Sequence, residues 1–314
     1  MRIPVVVLFA PTASGKTALS IRLFGKSSLF CFKGRAELVS ADSMQVYKGL
    51  DIGTAKPDEN ERNELRHHLV DILEPDEQFS VADFVSMADV CCREIYARGK
   101  IPLVAGGTGF YIRNFIMGLP ETPVADEKIR NILKERLKSE GNEALYAELK
   151  SVDAESAGKI NVNDGYRICR ALEVFYSTGK PRSYFKISSE MRKNYEFKVI
   201  VLETERAALY ERINARVEKM FELGLAGEVR TLYEKGFGKS APGMQAIGYR
   251  EWFSGDGGLR SDFENVMQEI KHDSRKYAKK QYSYISNIPG AVKIDVSDDD
   301  KMISGIKKVL EGIF

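Results

Sequence analysis

Residues 10–17 read APTASGKT, directly after the apolar run Val5 to Phe9 and before a stretch that can start a helix. In such a loop the backbone N–H groups around Ala13 to Thr17 can point inward and join a helix N-terminus, so that fixed dipoles meet phosphate oxygens. Lys16 would reach the terminal phosphate, and the Thr17 hydroxyl would ligate Mg²⁺. The first loop position is Ala10 where the motif most often has Gly, a departure that a negative φ tolerates. Two more polar turns follow apolar runs. SADSMQVYKGLDIGTAKP (40–57) places Asp42 at the carboxyl end of one run, facing the crevice where open α/β sheets bind ligands. An aspartate there can serve a bound substrate, cap a helix or hold Mg²⁺. LVAGGTGFYI (103–112) offers Gly106, Gly107 and Thr108 as a third crevice element or as an ordinary strand-to-helix turn. No G-x-G-x-x-G follows the first run, which argues against a dinucleotide fold.

The elements that must position these turns follow from periodicity. Val5 to Phe9, Glu37 to Ser40 and Pro102 to Ala105 read as buried strands alternating with helical patterns, which predicts a parallel sheet with helices on both faces. After GLPETP (118–123) the pattern turns helical and charged through about Arg192, and FKVIVL (197–202) then reads as a strand again. A helical insertion over 118–195 in an α/β core made of 1–117 and 196–314 is therefore expected. Ala207 to Lys235 and Phe263 to Ile285 read as further helices, and DVSDDD (295–300) as a brief acidic turn.

The composition narrows the partners little. The chain has 314 residues, 43% hydrophobic and 29% charged, with 47 Lys and Arg and a net charge of +2, so affinity for a polyanion must come from local clustering. Two such clusters stand out. YRICR (166–170) follows an Asn163-Asp164 cap and puts Arg167 and Arg170 on one helix face, opposed by Ile168, Leu172 and Phe175; that geometry suits phosphate contacts or a solvated face. Lys271, Arg275 and Lys279 fall at i, i+4 and i+8, a basic stripe backed by Ile270, Tyr277, Ala278, Gln281 and Ile285. Four cysteines without C-x-x-C spacing suit a reducing cytosol, and no stretch approaches membrane-spanning length.

PTASGKT, SADSMQVYKGLDIGTAKP, IPLVAGGTGFYI, RALEVFYSTGKP, LYERINARVEKM and MQAIGYRE, in that order and spacing, resemble the bacterial tRNA dimethylallyltransferase family over nearly the whole chain. The resemblance implies dimethylallyl diphosphate as donor and adenosine 37, beside the anticodon of tRNAs reading codons that begin with U, as acceptor. Thr12, Ala13, Ser14, Gly15, Lys16 and Thr17 would then hold the donor diphosphate with Mg²⁺ on Thr17. Asp42 would take the N6 proton as the C–N bond forms, Arg216 would stabilise the departing diphosphate, and Thr108 would line the channel where allyl group and adenine meet. The same resemblance gives tRNA contacts to Asp42, Ser43, Met44, Gln45 and Thr108. It also gives them to Tyr166, Arg167, Ile168, Cys169 and Arg170 on the anticodon stem, and to Gln245, Ala246, Ile247, Gly248, Tyr249 and Arg250 around the extruded base. A monomeric, cytoplasmic enzyme is expected. AKKQYSY (278–284) departs from the family's AKRQ plus Trp-like aromatic, and GKSSLFCFKGR (25–35) is longer than its usual connection. A small-metabolite kinase, an AMP prenyltransferase and an NTP-dependent RNA-binding switch are the rival readings; the insertion and QAIGYR favour polymeric RNA.

Overall fold

The computed structural model describes residues 2–120, 122, 126–186, 188, 190–285 and 288–313. Six strands form one sheet: β1 (Ile3–Phe9), β2 (Ala36–Ser40), β3 (His67–His68), β4 (Ile101–Gly106), β5 (Tyr195–Glu203) and β6 (Val292–Asp295). Their order is β3-β2-β4-β1-β5-β6 and every neighbouring pair is parallel. Strands covered on both faces read as continuous apolar runs rather than alternating ones, and Val5 to Phe9 are accordingly all buried.

The helices are α1 (Lys16–Phe24), α2 (Glu59–Glu64), α3 (Val81–Ala97), α4 (Gly109–Met117), α5 (Glu127–Val152), α6 (Ala154–Ala157), α7 (Gly165–Thr178), α8 (Arg206–Glu222), α9 (Leu225–Glu234), α10 (Phe263–Ile285) and α11 (Asp299–Leu310). On one face of the sheet Val6 and Leu8 share a core with Leu19 and Leu23 of α1 and Ile303, Ile306 and Leu310 of α11. Towards α3 and α4, Phe115 packs against Phe84 and against Phe197 of β5. Each fully buried aliphatic or aromatic side chain here contributes about 1.5–3 kcal/mol. Among the described residues no helix is long and apolar enough to cross a membrane.

The acidic stretch 295–300 is not the plain turn its composition predicts. Asp295 ends β6, and the Asp298 side chain caps α11 by accepting from Lys301 N. The apolar spacing of Met302, Ile303, Ile306 and Leu310 carries that helix.

The chain separates into two compact units, Met1–Ile116 with Arg192–Phe314, and Met117–Met191. The second unit ends before the sequence boundary at 195. Arg192 donates its N–H to Ile116 O, and both Arg192 and the Tyr195 hydroxyl bond to Asp89 of α3, which fastens this stretch to the α/β unit. Of GLPETP, residues 121 and 123 lie outside the described residues.

In the second unit Asp126 caps α5, and Gly141 (φ 82°, ψ 172°) breaks it into two helical arms; glycine takes that conformation at no steric cost. Leu133, Leu145 and Leu149 of these arms bury against Ile168 and Leu172 of α7, whose N-terminus is capped by Asp164.

Candidate active site

β1 stops at Phe9 and α1 starts at Lys16, so the six residues between them form the loop that the spacing predicts. Ala13 (φ 61°) and Gly15 (φ 78°) are both left-handed, which turns successive N–H groups toward one concavity. For Ala13 that conformation is strained, and strain of this kind persists where a binding function selects it. Ser14 Oγ is buried without a hydrogen-bond partner among the described residues. The Lys16 ammonium donates to Ala10 O at 2.9 Å and Pro11 O at 3.1 Å. Burial pulls its pKa down to about 8, opposed by the Asp42 charge and helped by Arg216.

Asp42 stands just beyond β2. Its Oδ1 accepts from Met44 N at 2.9 Å and Gln45 N at 3.3 Å, so one oxygen caps the turn, a use that the sequence left open. Among the described residues Oδ2 has no hydrogen-bond partner. Gly106 ends β4 where a Cβ would come within 2.1 Å of Ala41 O; glycine lets the two strand ends close together. Thr108 stands two residues on, its N–H on Ala41 O and its Oγ1 accepting from Ser43 N at 3.1 Å. Gln45 is tied across the turn, its amide donating to Ala55 O at 3.2 Å.

Arg216 reaches this site from α8. Its Nη1 donates to Thr12 Oγ1 at 2.7 Å and its Nη2 to Thr54 O at 3.2 Å, joining the phosphate loop to the 42–57 segment. Burial lowers its pKa while the Asp42 charge opposes the shift. Sequence reasoning missed two supports. The buried Lys56 ammonium donates to Tyr47 O at 2.7 Å, Asp51 at 2.6 Å and Asp71 at 2.5 Å, locking the same segment. Gln281 of α10, read from sequence as packing, bonds to both Thr12 and Gly107. Residue types hinted at neither: the Lys56 partners are gathered by the folding of one loop segment, and those of Gln281 come from distant elements.

Several expected RNA contacts take a different role. Tyr249 is fully buried; its hydroxyl donates to Glu228 at 2.6 Å and accepts from Gly53 N at 3.1 Å, while Glu228 also accepts from Asp51 N and Ile52 N. Ala246 is buried as well, in the same core as Tyr249, and the Tyr249 hydroxyl braces the 51–53 turn from inside. Gly248 donates to Glu251, Arg250 pairs with Glu251 and Asp273, and Ile247 is half-buried. Gln245 is exposed, its amide on Lys239 O. Met44 is half-buried against the same core.

On α7, Tyr166 is exposed and Ile168 fully buried, so Ile168 presents no atom to RNA. Cys169 turns its thiol to Leu133 O of α5. Arg167 is exposed and pairs with Asp164, while Arg170 donates to buried Glu173 at 2.7 Å. Arg182 joins them: desolvation, then the Arg170 charge and that of Arg167, lower its pKa. The α10 stripe is also corrected. Lys271 is buried against Glu218 at 2.6 Å and Arg275 bonds Asn214, so two of its three members face α8; Lys276, Lys279 and Lys280 form the exposed side.

Lys16, Thr17, Asp42 and Gly106 line one cleft. Among the described residues no three His, Cys, Asp or Glu side chains gather to hold a metal, and Thr17 lines the cleft. That donor set fits Mg²⁺ held by one hydroxyl plus substrate phosphate oxygens and water.

A phosphate-type loop, two half-buried cations and a carboxylate oxygen without a hydrogen-bond partner among the described residues are the groups of a P-loop α/β transferase. The profile of one family, described as IPP transferase, matches residues 45–288. The chain is 42% identical to the tRNA dimethylallyltransferase of Acetivibrio thermocellus, covering 99% of each. It is 40% identical to that of Geobacillus thermodenitrificans, covering 98% of this chain and 96% of the other. Among solved structures it is similar to the full-length tRNA isopentenylpyrophosphate transferase of Bacillus halodurans, at 36% identity over 99% and 96% of the chains with TM-score 0.67. It is also similar to a eukaryotic dimethylallyltransferase acting on tRNA, at 28% identity over 98% and 77% with TM-score 0.79. The chain belongs to the IPP transferase family, that of the tRNA dimethylallyltransferases. Membership implies a tRNA substrate and a prenyl donor.

Proposed function

We propose that the protein transfers the dimethylallyl group of dimethylallyl diphosphate to N6 of adenosine 37, beside the anticodon of tRNAs reading codons that begin with U, and releases diphosphate. The observation that carries the reading is the Asp42 carboxylate, with Oδ2 free, on the cleft that also holds Lys16 and Thr17. Adenine N6 is a poor nucleophile because its lone pair is delocalised into the ring. As the C–N bond forms, N6 becomes cationic and its proton passes to Asp42 Oδ2. The allylic C–O bond breaks, and the charge gathering on the diphosphate meets the amides of residues 13–17, Lys16 and Arg216. Mg²⁺ on Thr17 would neutralise part of that charge when bound. Thr108, bonded to Ser43 N, fixes the acceptor side next to Asp42.

The second unit is assigned to the anticodon stem, with exposed Tyr166 and Arg167 toward the phosphates and Arg170 held on Glu173 beside them. Ser43 and Gln45, with exposed Gln245, are assigned to the extruded base and its neighbours, whose unstacking costs a few kcal/mol that loop contacts offset. We place the enzyme in the cytoplasm as a monomer. Incubation with labelled dimethylallyl diphosphate, labelled ATP and either tRNA or AMP tests the reading. Prenyl label on tRNA alone is expected; label from ATP, or on AMP, would overturn it.

A further inference from the structure

Gln281, near the end of α10, is buried and spends both ends of its amide on the two loops that flank the cleft. Its Oε1 accepts from Thr12 N at 3.0 Å, and its Nε2 donates to Gly107 O at 2.6 Å. The fit is close: a Cβ at Gly107 would stand 2.5 Å from Nε2 and push the amide off its carbonyl. Thr12 also presents its hydroxyl to Arg216, and the residue after Gly107 is Thr108, bonded to Ser43 N beside Asp42. A single side chain therefore spans the loop assigned to the donor and the loop assigned to the acceptor. A primary amide offers a donor and an acceptor at one end, which a carboxylate or an ammonium does not.

We propose that Gln281 is a positioning residue, one that sets the separation of the diphosphate loop from the Thr108–Asp42 side so that the allylic carbon and N6 meet in line. It touches neither substrate, and its role rests on the proposed assignment of those loops. Reacting atoms must approach to roughly 3–3.5 Å, and a misplacement of about 1 Å costs on the order of 10²-fold in rate. Untying either end of the amide frees one loop relative to the other while leaving each loop's own ligand groups in place.

The test compares Gln281→Leu and Gln281→Glu with the unaltered full-length protein, using tRNA and labelled dimethylallyl diphosphate. Single-turnover rates are measured beside tRNA affinity by gel shift and donor affinity by calorimetry. In the leucine variant the rate is expected to fall about 10- to 100-fold while both affinities stay within about 3-fold. A glutamate carboxylate can still accept from Thr12 N but meets Gly107 O without a proton; once protonated it has a hydroxyl to donate. The ratio of its rate to wild type is therefore expected to rise as pH falls across the neutral range. A leucine variant at wild-type rate, a rate loss matched by equal losses in both affinities, or a pH-independent glutamate ratio would overturn the proposal. If the leucine variant does not fold, the glutamate profile decides. Asp42→Asn run in parallel separates the two failures: full rate there sinks the site assignment, whereas a dead Asp42→Asn beside active Gln281 variants sinks the positioning role alone.

Discussion

Arg216 Nη1 lies 2.7 Å from Thr12 Oγ1, a bond that ties α8 to the phosphate loop across 204 positions of sequence. Its other hydrogen bond among the described residues goes to Thr54 O, so the half-buried guanidinium meets only neutral oxygens there. A cation withdrawn from water is costly unless charge compensates it, and the Asp42 charge acts on this one without a hydrogen bond to it. The arrangement suits a ligand that brings its own negative charge.

Replacing Arg216 by Ala should accordingly cut kcat/KM for the donor by about 10²–10³-fold, as loss of a preorganised anion-stabilising group does. tRNA affinity by gel shift should change little. Arg216→Lys should recover only part of the loss, because an ammonium cannot hold Thr12 and Thr54 with a fork. Equal falls in donor use and tRNA affinity would contradict the role.

Lys16 supplies a pH dependence. Burial sets its pKa at about 8, so in the free enzyme the ammonium is present below that pH and lost above it. The cationic form is the one that meets a diphosphate. kcat/KM for the donor, which reports free-enzyme groups, should fall on the alkaline side with a single ionisation near about 8. Lys16→Arg should abolish that limb, since guanidinium stays charged. An alkaline limb unmoved in the arginine variant would assign it to another group.

The phosphate loop and its helix were legible in sequence because their geometry is local: a strand, a turn rich in small residues and a helix start within a few positions. β1, β2, β4 and β5 were legible from apolar runs. β3, with its two residues, is too short to leave a pattern, and α11 was hidden by the acidic run that caps it. QAIGYR shows the other limit. Its residue types suit base contacts, yet Tyr249 turns inward because Gly53 and Glu228, distant in sequence, offer its hydroxyl two partners. Lys56 and Gln281 were silent for the same reason: a buried polar group declares itself by its partners, and spacing along one segment does not show them.

Asp42→Asn should keep the turn and lose the chemistry. Asparagine can place its carbonyl oxygen where Oδ1 accepts from Met44 N and Gln45 N, which leaves an NH₂ in the position of Oδ2. That group donates and cannot take a proton from N6. Single-turnover rates should fall by about 10²–10⁴-fold, the usual range for a general base, with donor and tRNA binding retained. A near wild-type rate would remove Asp42 from the mechanism.

Glu37 lies buried in β2 and accepts from Arg98 at 2.7 Å, with His68 and Lys100 also bound to it. Burial pushes its pKa up, but the bonds from Arg98, His68 and Lys100 outweigh it and hold the carboxyl down to about 2, against an ordinary 4.5. The folded pKa is depressed, so this contribution is fully present above about 4.5 and lost as pH falls through about 2. Glu37→Gln should cost about 2–3 kcal/mol near neutral pH, discounted because Arg98 and Lys100 reach solvent. Urea unfolding near pH 7 and near pH 3 should show the difference shrinking in acid; a difference equal at both would place the stabilisation elsewhere.

The helical unit separates two arginines that the sequence treats alike. Arg167 is exposed and its partner Asp164 lies 3.3 Å away at the helix start, a surface pair worth ~1 kcal/mol or less. Arg170 donates at 2.7 Å to Glu173, which is buried, so its charge is already committed. Arg167→Ala should weaken binding to every tRNA about equally and flatten the salt dependence by roughly 0.9 per lost stem contact, since phosphate contacts carry no sequence information. Arg170→Ala should instead leave Glu173 short of a partner, lowering the unfolding midpoint of the unit. Replacing Gln45, tied to the turn at Asp42, should reduce discrimination for the adenosine context with the salt slope unchanged. Gel shifts at several salt concentrations, with a cognate tRNA and one carrying a changed anticodon loop, read all three. An unchanged slope in Arg167→Ala would return that face of α7 to solvent and move the stem contact to another part of the unit.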